Sequence, residues 1–415
     1  MAHAVDVVIA GGGPAGATLA ILLGRAGLGV DLFDARRFPR EKPCGEGIMP
    51  AGVAVLERLG LRAAVGGRAL ATVRYHGFGI TAESGFAPRA GRTFAVVAQR
   101  RVRLDAVLLA EAAATPGVRV FEDAPVEGAV RDRGRATGLV VGGERRRAGL
   151  VVGADGIESP VRRSLGLERG GPRNASRRVG VRRHFRLAEG QPGPDRLEIF
   201  VGRGRELYVA PLPDRELLLA ALCDREALAG DAGRALGRWI AEEPLLAGWL
   251  EGATPITAPA GRAPVTRRAR AGFAPGAVLL GDAAAATDPL TAGGIAHALV
   301  TAERLAAFVP RALAEGDVWL ARFDRARRRL LRPHNWLTSA LVFAARRPLL
   351  ARATLAGMRA APPVMRALLG VGGGLAIQPP APLMLANVAT SSAIALATSS
   401  ATDQNATLSQ RDGSR

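Results

Sequence analysis

A chain of 415 residues with 48% hydrophobic side chains can bury two or three domain cores, which excludes a disordered protein. Two cysteines exclude a disulfide scaffold and a four-cysteine zinc site, so Cys44 and Cys223 are expected as reduced thiols of a cytoplasmic protein without a metal. The formal charge of +19 is carried almost wholly by arginine, Lys42 being the single lysine. Such a field favours anionic dinucleotides and anionic lipid surfaces. Few aromatics, and no finger, RNP-like or basic-zipper pattern, speak against nucleic acid as a partner.

The N-terminus runs directly into an apolar strand pattern, Val5–Ala10, without a basic segment or cleavage site, so no secretory signal is expected. Gly11-Gly12-Gly13-Pro14-Ala15-Gly16 follows, then a helix to about Gly27 and a second strand, Val30–Phe33, ending at Asp34. A Pro/Gly-rich loop spans Phe38–Pro50, and a helix is predicted over Ala51–Leu59. Residues 71–98 alternate in strand fashion, and Arg103–Ala114 reads as a helix. Short strands are predicted near Val118–Phe121, Ala129–Val130, Gly138–Val141 and Gly149–Gly153, with more between about 176 and 225. Beyond Phe308 the pattern is helical and Arg-rich, broken at Pro348 and Pro362-Pro363. Residues 367–402 carry no charge, but their prolines and Gly372-Gly373-Gly374 argue against a membrane span.

Three motifs carry chemistry. Gly11-x-Gly13-x-x-Gly16 joins a strand to a helix, which permits a tight turn and close approach of a pyrophosphate to a helix N-terminus; Asp34 stands where a carboxylate accepts ribose hydroxyls. The second is Gly153-Ala154-Asp155-Gly156 with Ser159-Pro160-Val161-Arg162; the third is Gly281-Asp282-Ala283-Ala284 with Asp288-Pro289-Leu290-Thr291-Ala292-Gly293-Gly294-Ile295. Singly, each of the last two is equally an ordinary strand-to-helix turn. Their order is what makes them specific.

This trio, over residues 5–310, resembles the flavoprotein family of aromatic hydroxylases, geranylgeranyl reductases and flavin-dependent halogenases. The resemblance implies FAD, held by Gly11, Gly13, Ala15, Gly16 and Asp34, with Arg101 on its backbone and main-chain atoms at Val126 near the adenine. It further implies that Asp155 and Gly156 serve FAD and reduced nicotinamide together, that Gly281 and Asp282 hold the ribityl chain, and that Pro289, Gly294 and Ile295 approach the isoalloxazine. With a single glycine fingerprint, NAD(P)H is expected as a transient co-substrate.

Within that family the loop Arg40-Glu41-Lys42-Pro43-Cys44-Gly45 resembles the reductases' segment beside the flavin, making Lys42 and Cys44 candidate catalytic residues. A solvated lysine and a buried thiol are the competing readings. Leu207–Pro213 replaces the reductases' Trp-containing strand, the third motif lacks their Gly-Glu-Gly, and no halogenase Trp-x-Trp-x-Ile-Pro pattern occurs. The expected activity is therefore a FAD monooxygenase using NAD(P)H and O2 on a lipophilic aromatic, polyketide or phenolic lipid, with an alkene reductase or quinone-linked oxidoreductase as the alternative. His76, His184 and His297 are candidate bases whose default role is structural.

The expected fold class is α/β: a Rossmann-like FAD-binding domain (1–70, 96–175, 262–330) with an inserted, mainly β substrate domain (71–95, 176–261). A helical region (331–400) and a disordered tail (401–415) complete it. Residues 331–370 combine arginines with apolar side chains at helical spacing, which suits either packing over the substrate cleft or peripheral membrane contact.

Overall fold

The computed structural model describes residues 5–89, 91–169, 178–202, 204–228 and 230–375. Val7, Val8, Ile9 and Ala10 are all buried, as a strand covered on both faces must be. Strand Val5–Ala10 accordingly lies inside a parallel sheet, between Glu144–Gly153 and Val30–Phe33. Ala277–Leu279 and Val118–Phe121 continue the sheet on its two sides, again in parallel. Helices Pro14–Arg25, Arg101–Ala114 and Gly294–Ala306 pack together against it. The N-terminal half of Glu144–Gly153 pairs instead with Arg135–Val141, which pairs with Val126–Asp132. The Rossmann-like α/β core is thus present.

A second sheet is antiparallel through Arg178–Arg186, Glu216–Asp224, Arg205–Pro211 and Leu197–Gly202. Thr72–Gly77 joins it alongside Leu197–Gly202 and pairs with Ile80–Gly85, so two distant stretches of chain build one sheet. Alternation gives it two faces. Val179, Val181 and Phe185 share a core with Leu236, Trp239 and Leu246 of helices Ala232–Glu242 and Pro244–Trp249. Arg182 and His184 point the other way, toward the glycine-rich end of the first sheet.

The structure revises several sequence expectations. Residues 71–98 are not one alternating stretch: Val96–Ala98 belongs to a separate small sheet with Gly47–Ile48 and Arg68–Leu70. The helix expected from Arg103 starts at Arg101, because the Gln99 side chain accepts the Arg100 N–H at 2.9 Å and leads the chain into the first turn. At the C-terminal end, helix Val318–Ala345 runs through Pro333, and Pro348 and Pro362 open helices Pro348–Ala360 and Pro362–Gly372 rather than merely ending their predecessors. The tail at 401–415 and the 376–400 part of the helical region lie outside the described residues. Among the described residues no helix is long and apolar enough to cross a membrane.

Candidate active site

Close backbone contacts build the first turn. Gly11 has φ +101°, and a Cβ there would stand 2.4 Å from the Ala154 carbonyl oxygen; a Cβ on Gly16 would stand 1.9 Å from the Gly11 oxygen. Only glycine lets the turn, the second motif and helix Pro14–Arg25 meet. Gly13 caps that helix without a side-chain bond, leaving the first N–H groups available to an anion. Behind the turn, Asp34 Oδ2 accepts the Gly12 N–H at 2.7 Å, Oδ1 accepts the Arg36 N–H at 3.0 Å, and Arg40 lies 3.5 Å away.

The second and third motifs are locked together by Arg162, whose role the sequence alone did not reveal. Fully buried, it donates to Ile157 O at 2.6 Å and Ala283 O at 3.0 Å, with Glu168 at 3.0 Å. Asp155, expected among the cofactor ligands, accepts the Val161 N–H at 3.1 Å with one oxygen while the other has no partner among the described residues, and burial raises its pKa above the usual carboxylate range. Its neighbour Gly156 does reach the cavity wall. Val126 does not. It starts its strand two residues after Ala124, whose N–H donates to Asp34 O at 2.8 Å.

A cavity of about 240 Å³ brings most of the remaining candidates to one wall: Gly13, Ala15, Lys42, Cys44, Arg101, Gly156, Gly281, Asp282, Pro289, Gly294 and Ile295. Asp282 opens helix Asp282–Ala285, and no described group donates a hydrogen bond to its carboxylate. Helix Gly294–Ala306 also begins without a side-chain cap, and a Cβ on Gly294 would meet nothing within 4 Å. Arg101 is held by Asp105 through two 2.7 Å bonds, and its guanidinium faces the Cys44 sulfur. Lys42 is half-buried rather than a solvated loop residue. Burial, and then the nearby Arg101 and Arg262, pull its ammonium down to about 8 against the opposing Asp282 and Asp105.

Long-range pairs fix the loop that carries Lys42 and Cys44. Glu46 is fully buried at φ +55°; one oxygen accepts the Arg101 N–H at 3.1 Å and the other pairs with His184 Nε2 at 2.8 Å. Glu41 pairs with both Arg100 and Arg182. Across the cleft, Arg178 is buried between Glu206 and Asp288, and the Tyr208 hydroxyl donates to Leu290 O at 2.9 Å. Burial, opposed by Arg178, leaves the Glu206 carboxyl near 7. None of these pairings has a local sequence signal; only the positive φ of Glu46 marks a strained position.

The three candidate histidines separate. His76 pairs with Glu198 at 2.7 Å and is not on the cavity wall, whereas His184 is consumed by Glu46. His297 lies on the wall with Nε2 unpartnered among the described residues, its ring edge-on to His334 at 4.1 Å. His334 Nε2 contacts Thr291 Oγ1 at 2.9 Å, and a Cβ on Gly293 would strike the His334 ring at 2.4 Å. Burial takes His334 down to about 4 and, with His334 alongside, takes His297 well below its ordinary value, so both rings stay neutral.

FAD suits this donor set: one uncapped helix start for the pyrophosphate, a carboxylate awaiting hydroxyls, a second uncapped helix start for the ring edge, and cations along the wall. The sequence profile described as FAD binding domain matches residues 4–329. The chain belongs to this FAD-binding family. It is 32% identical over 325 residues to a menaquinone reductase of Mycolicibacterium smegmatis, covering 73% of this chain and 75% of that one. It is 34% identical over 172 residues to 6-methylpretetramide 4-monooxygenase of Streptomyces rimosus, covering 39% and 41% of the two chains. A flavoprotein/dehydrogenase structure from Cytophaga hutchinsonii shares the fold at TM-score 0.78 and 20% identity, over 89% of this chain and 93% of that one. This member of the family is a FAD-dependent oxidoreductase.

Proposed function

We propose that the flavoprotein is an NAD(P)H-dependent monooxygenase of a lipophilic substrate bearing an electron-rich ring or alkene. The observation that carries this reading is the shape of the cavity. Its wall also includes Leu197, Ala220 and Leu222 of the second sheet, Val265 of the loop after Ala260–Arg262, and Ala298 and Leu331 of the helices. The side chains lining that part are mostly apolar, and burial holds the pKa of His297 on its wall well below the ordinary value, so it accepts hydrocarbon. Bound FAD would take a hydride from NAD(P)H and supply the oxygen chemistry. The chain's own residues orient the partners: Asp282 holds the hydroxyl-rich chain, the start of helix Gly294–Ala306 holds the ring edge, and Tyr208 spans to Leu290 to close the chamber. The departures in the third motif and the likeness to 6-methylpretetramide 4-monooxygenase support oxygenation.

A second reading, reduction of an alkene or quinone, is favoured by Lys42 and Cys44 on the same wall and by the likeness to menaquinone reductase. With an ammonium near 8, Lys42 would supply the proton that accompanies a hydride. Following O2 and NAD(P)H together with alkylated phenols and isoprenoid quinones separates the two. Equimolar O2 and NAD(P)H consumption with a hydroxylated product is expected; substrate-dependent NAD(P)H oxidation under anaerobic conditions, yielding a reduced product, would establish the second reading instead.

A further inference from the structure

We propose that the corner where helix Val318–Ala345 meets helix Pro348–Ala360 docks on anionic lipid bilayers, an inference that rests on the lipophilic-substrate reading. Large apolar side chains stand out in water there: Leu349 is 83% exposed and Trp336 73%, with Phe343 and Leu350 beside them. Trp336, Ala340, Phe343 and Arg347 follow at spacings of four, three and four, which is one face of the helical path. A tryptophan with aliphatic side chains around a helix corner is the composition that settles at a headgroup boundary.

Charge complementarity selects the occupant. Residues 325–402 contain ten arginines and no acidic residue. Arg346 pairs with Asp224, but Arg332, Arg347, Arg352 and Arg359 have no acidic partner among the described residues. The Arg347 guanidinium lies 3.6 Å over the Phe343 ring and donates to Phe343 O at 3.0 Å, so cation and apolar surface form one patch. A second copy of this patch would bring like charges together. Residues 376–402, which follow the last of these helices, contain no acid to answer the arginines. An anionic membrane answers both the apolar and the cationic part.

The same helix reaches the chamber. Leu331 and Arg327 are on the cavity wall. Phe343 is twelve residues beyond Leu331, about 18 Å along a helix rising 1.5 Å per residue. One helix thus joins the proposed docking corner to the cavity wall.

The test is sedimentation of the full-length holoprotein with vesicles of phosphatidylcholine alone or mixed with phosphatidylglycerol, at low and high salt. The expected result is binding to the mixed vesicles only, weakened at least tenfold by salt. The combined variants Trp336→Ser/Phe343→Ser/Leu349→Ser and Arg347→Gln/Arg352→Gln should each lose at least tenfold in vesicle affinity, with FAD content unchanged. Absence of wild-type binding, or equal binding by both variants, overturns the proposal. Absence of binding together with a lower melting temperature in the apolar variant would assign the patch to residues 376–402; concentration-dependent dimers abolished by that variant would assign it to a second copy. Vesicle binding by an enzyme that accepts only short, water-soluble substrates would uphold the docking surface and sink the lipophilic-substrate reading.

Discussion

The glycine-rich turn and the loop carrying Lys42 and Cys44 form neighbouring parts of one cavity wall, yet they are held by opposite means. The turn is mainly backbone against backbone: Gly11 meets the main chain of Ala154 and Asp155, and Gly16 meets Gly11 and the side chain of Ile9 just before it, with no room for a Cβ at either glycine. The loop is side chain against side chain over long distances, Glu46 to His184 and Glu41 to Arg182. One wall of a cavity can thus combine a locally specified turn with a loop that is set by the domain opposite. Substitutions in the two regions should fail differently.

Gly16→Val attacks the turn and should have the largest effect, because the new Cβ meets the Gly11 oxygen at 1.9 Å. We expect a penalty of ~4 kcal/mol or more and protein without flavin, read from flavin absorbance per chain. The histidine pair beside Thr291 and Gly293 gives a second probe, away from both regions. With His334 near 4 when folded against 6.5 when unfolded, the unfolded chain binds more protons in that window. Stability is therefore fully present above 6.5 and is lost as pH falls toward 4, by roughly 3 kcal/mol. Denaturant midpoints across this range should show the slope, and His334→Gln should flatten it.

Glu46→Ala strikes the loop alone. It leaves His184 and the Arg101 N–H buried without an acceptor, at roughly 1–3 kcal/mol for each group. The melting temperature should fall while FAD content holds; loss of FAD in step with stability would erase the contrast between the regions. Asp282→Ala should weaken FAD binding by about 5- to 150-fold, the equivalent of ~1–3 kcal/mol, in a fluorescence titration. The smallest effect is kinetic. If Lys42 acts as an acid, activity should fall as pH rises through about 8, and Lys42→Arg, protonated throughout, should remove that limb.

This contrast also explains what could be read from the chain. Strand, turn, helix and Asp34 occupy thirty consecutive residues whose spacing states their geometry, so the turn was legible. Asp155 is ambiguous in the sequence because an acid after a strand serves equally as a ligand or as an acceptor for the next turn; here one oxygen accepts the Val161 N–H and the other has no partner among the described residues. Glu46 and His184 are 138 positions apart, and Arg162 reaches Ala283 across 121; nothing local announces either contact. Strands between about 176 and 225 were legible as strand-like runs, but that Thr72–Gly77 completes their sheet depends on tertiary pairing with Leu197–Gly202.

The order of strands in the first sheet has a consequence for how the protein is made. Val5–Ala10 leaves the ribosome first, but one neighbour ends at Gly153, and that neighbour's outer partner ends at Leu279, just before Asp282. At roughly 5–20 residues per second, roughly a quarter of a minute to a minute separates the glycine turn from Asp282. Throughout that interval an apolar strand has an unpaired edge. Flavin bound through Asp282 could therefore not stabilise the sheet until the chain beyond Leu279 has been made.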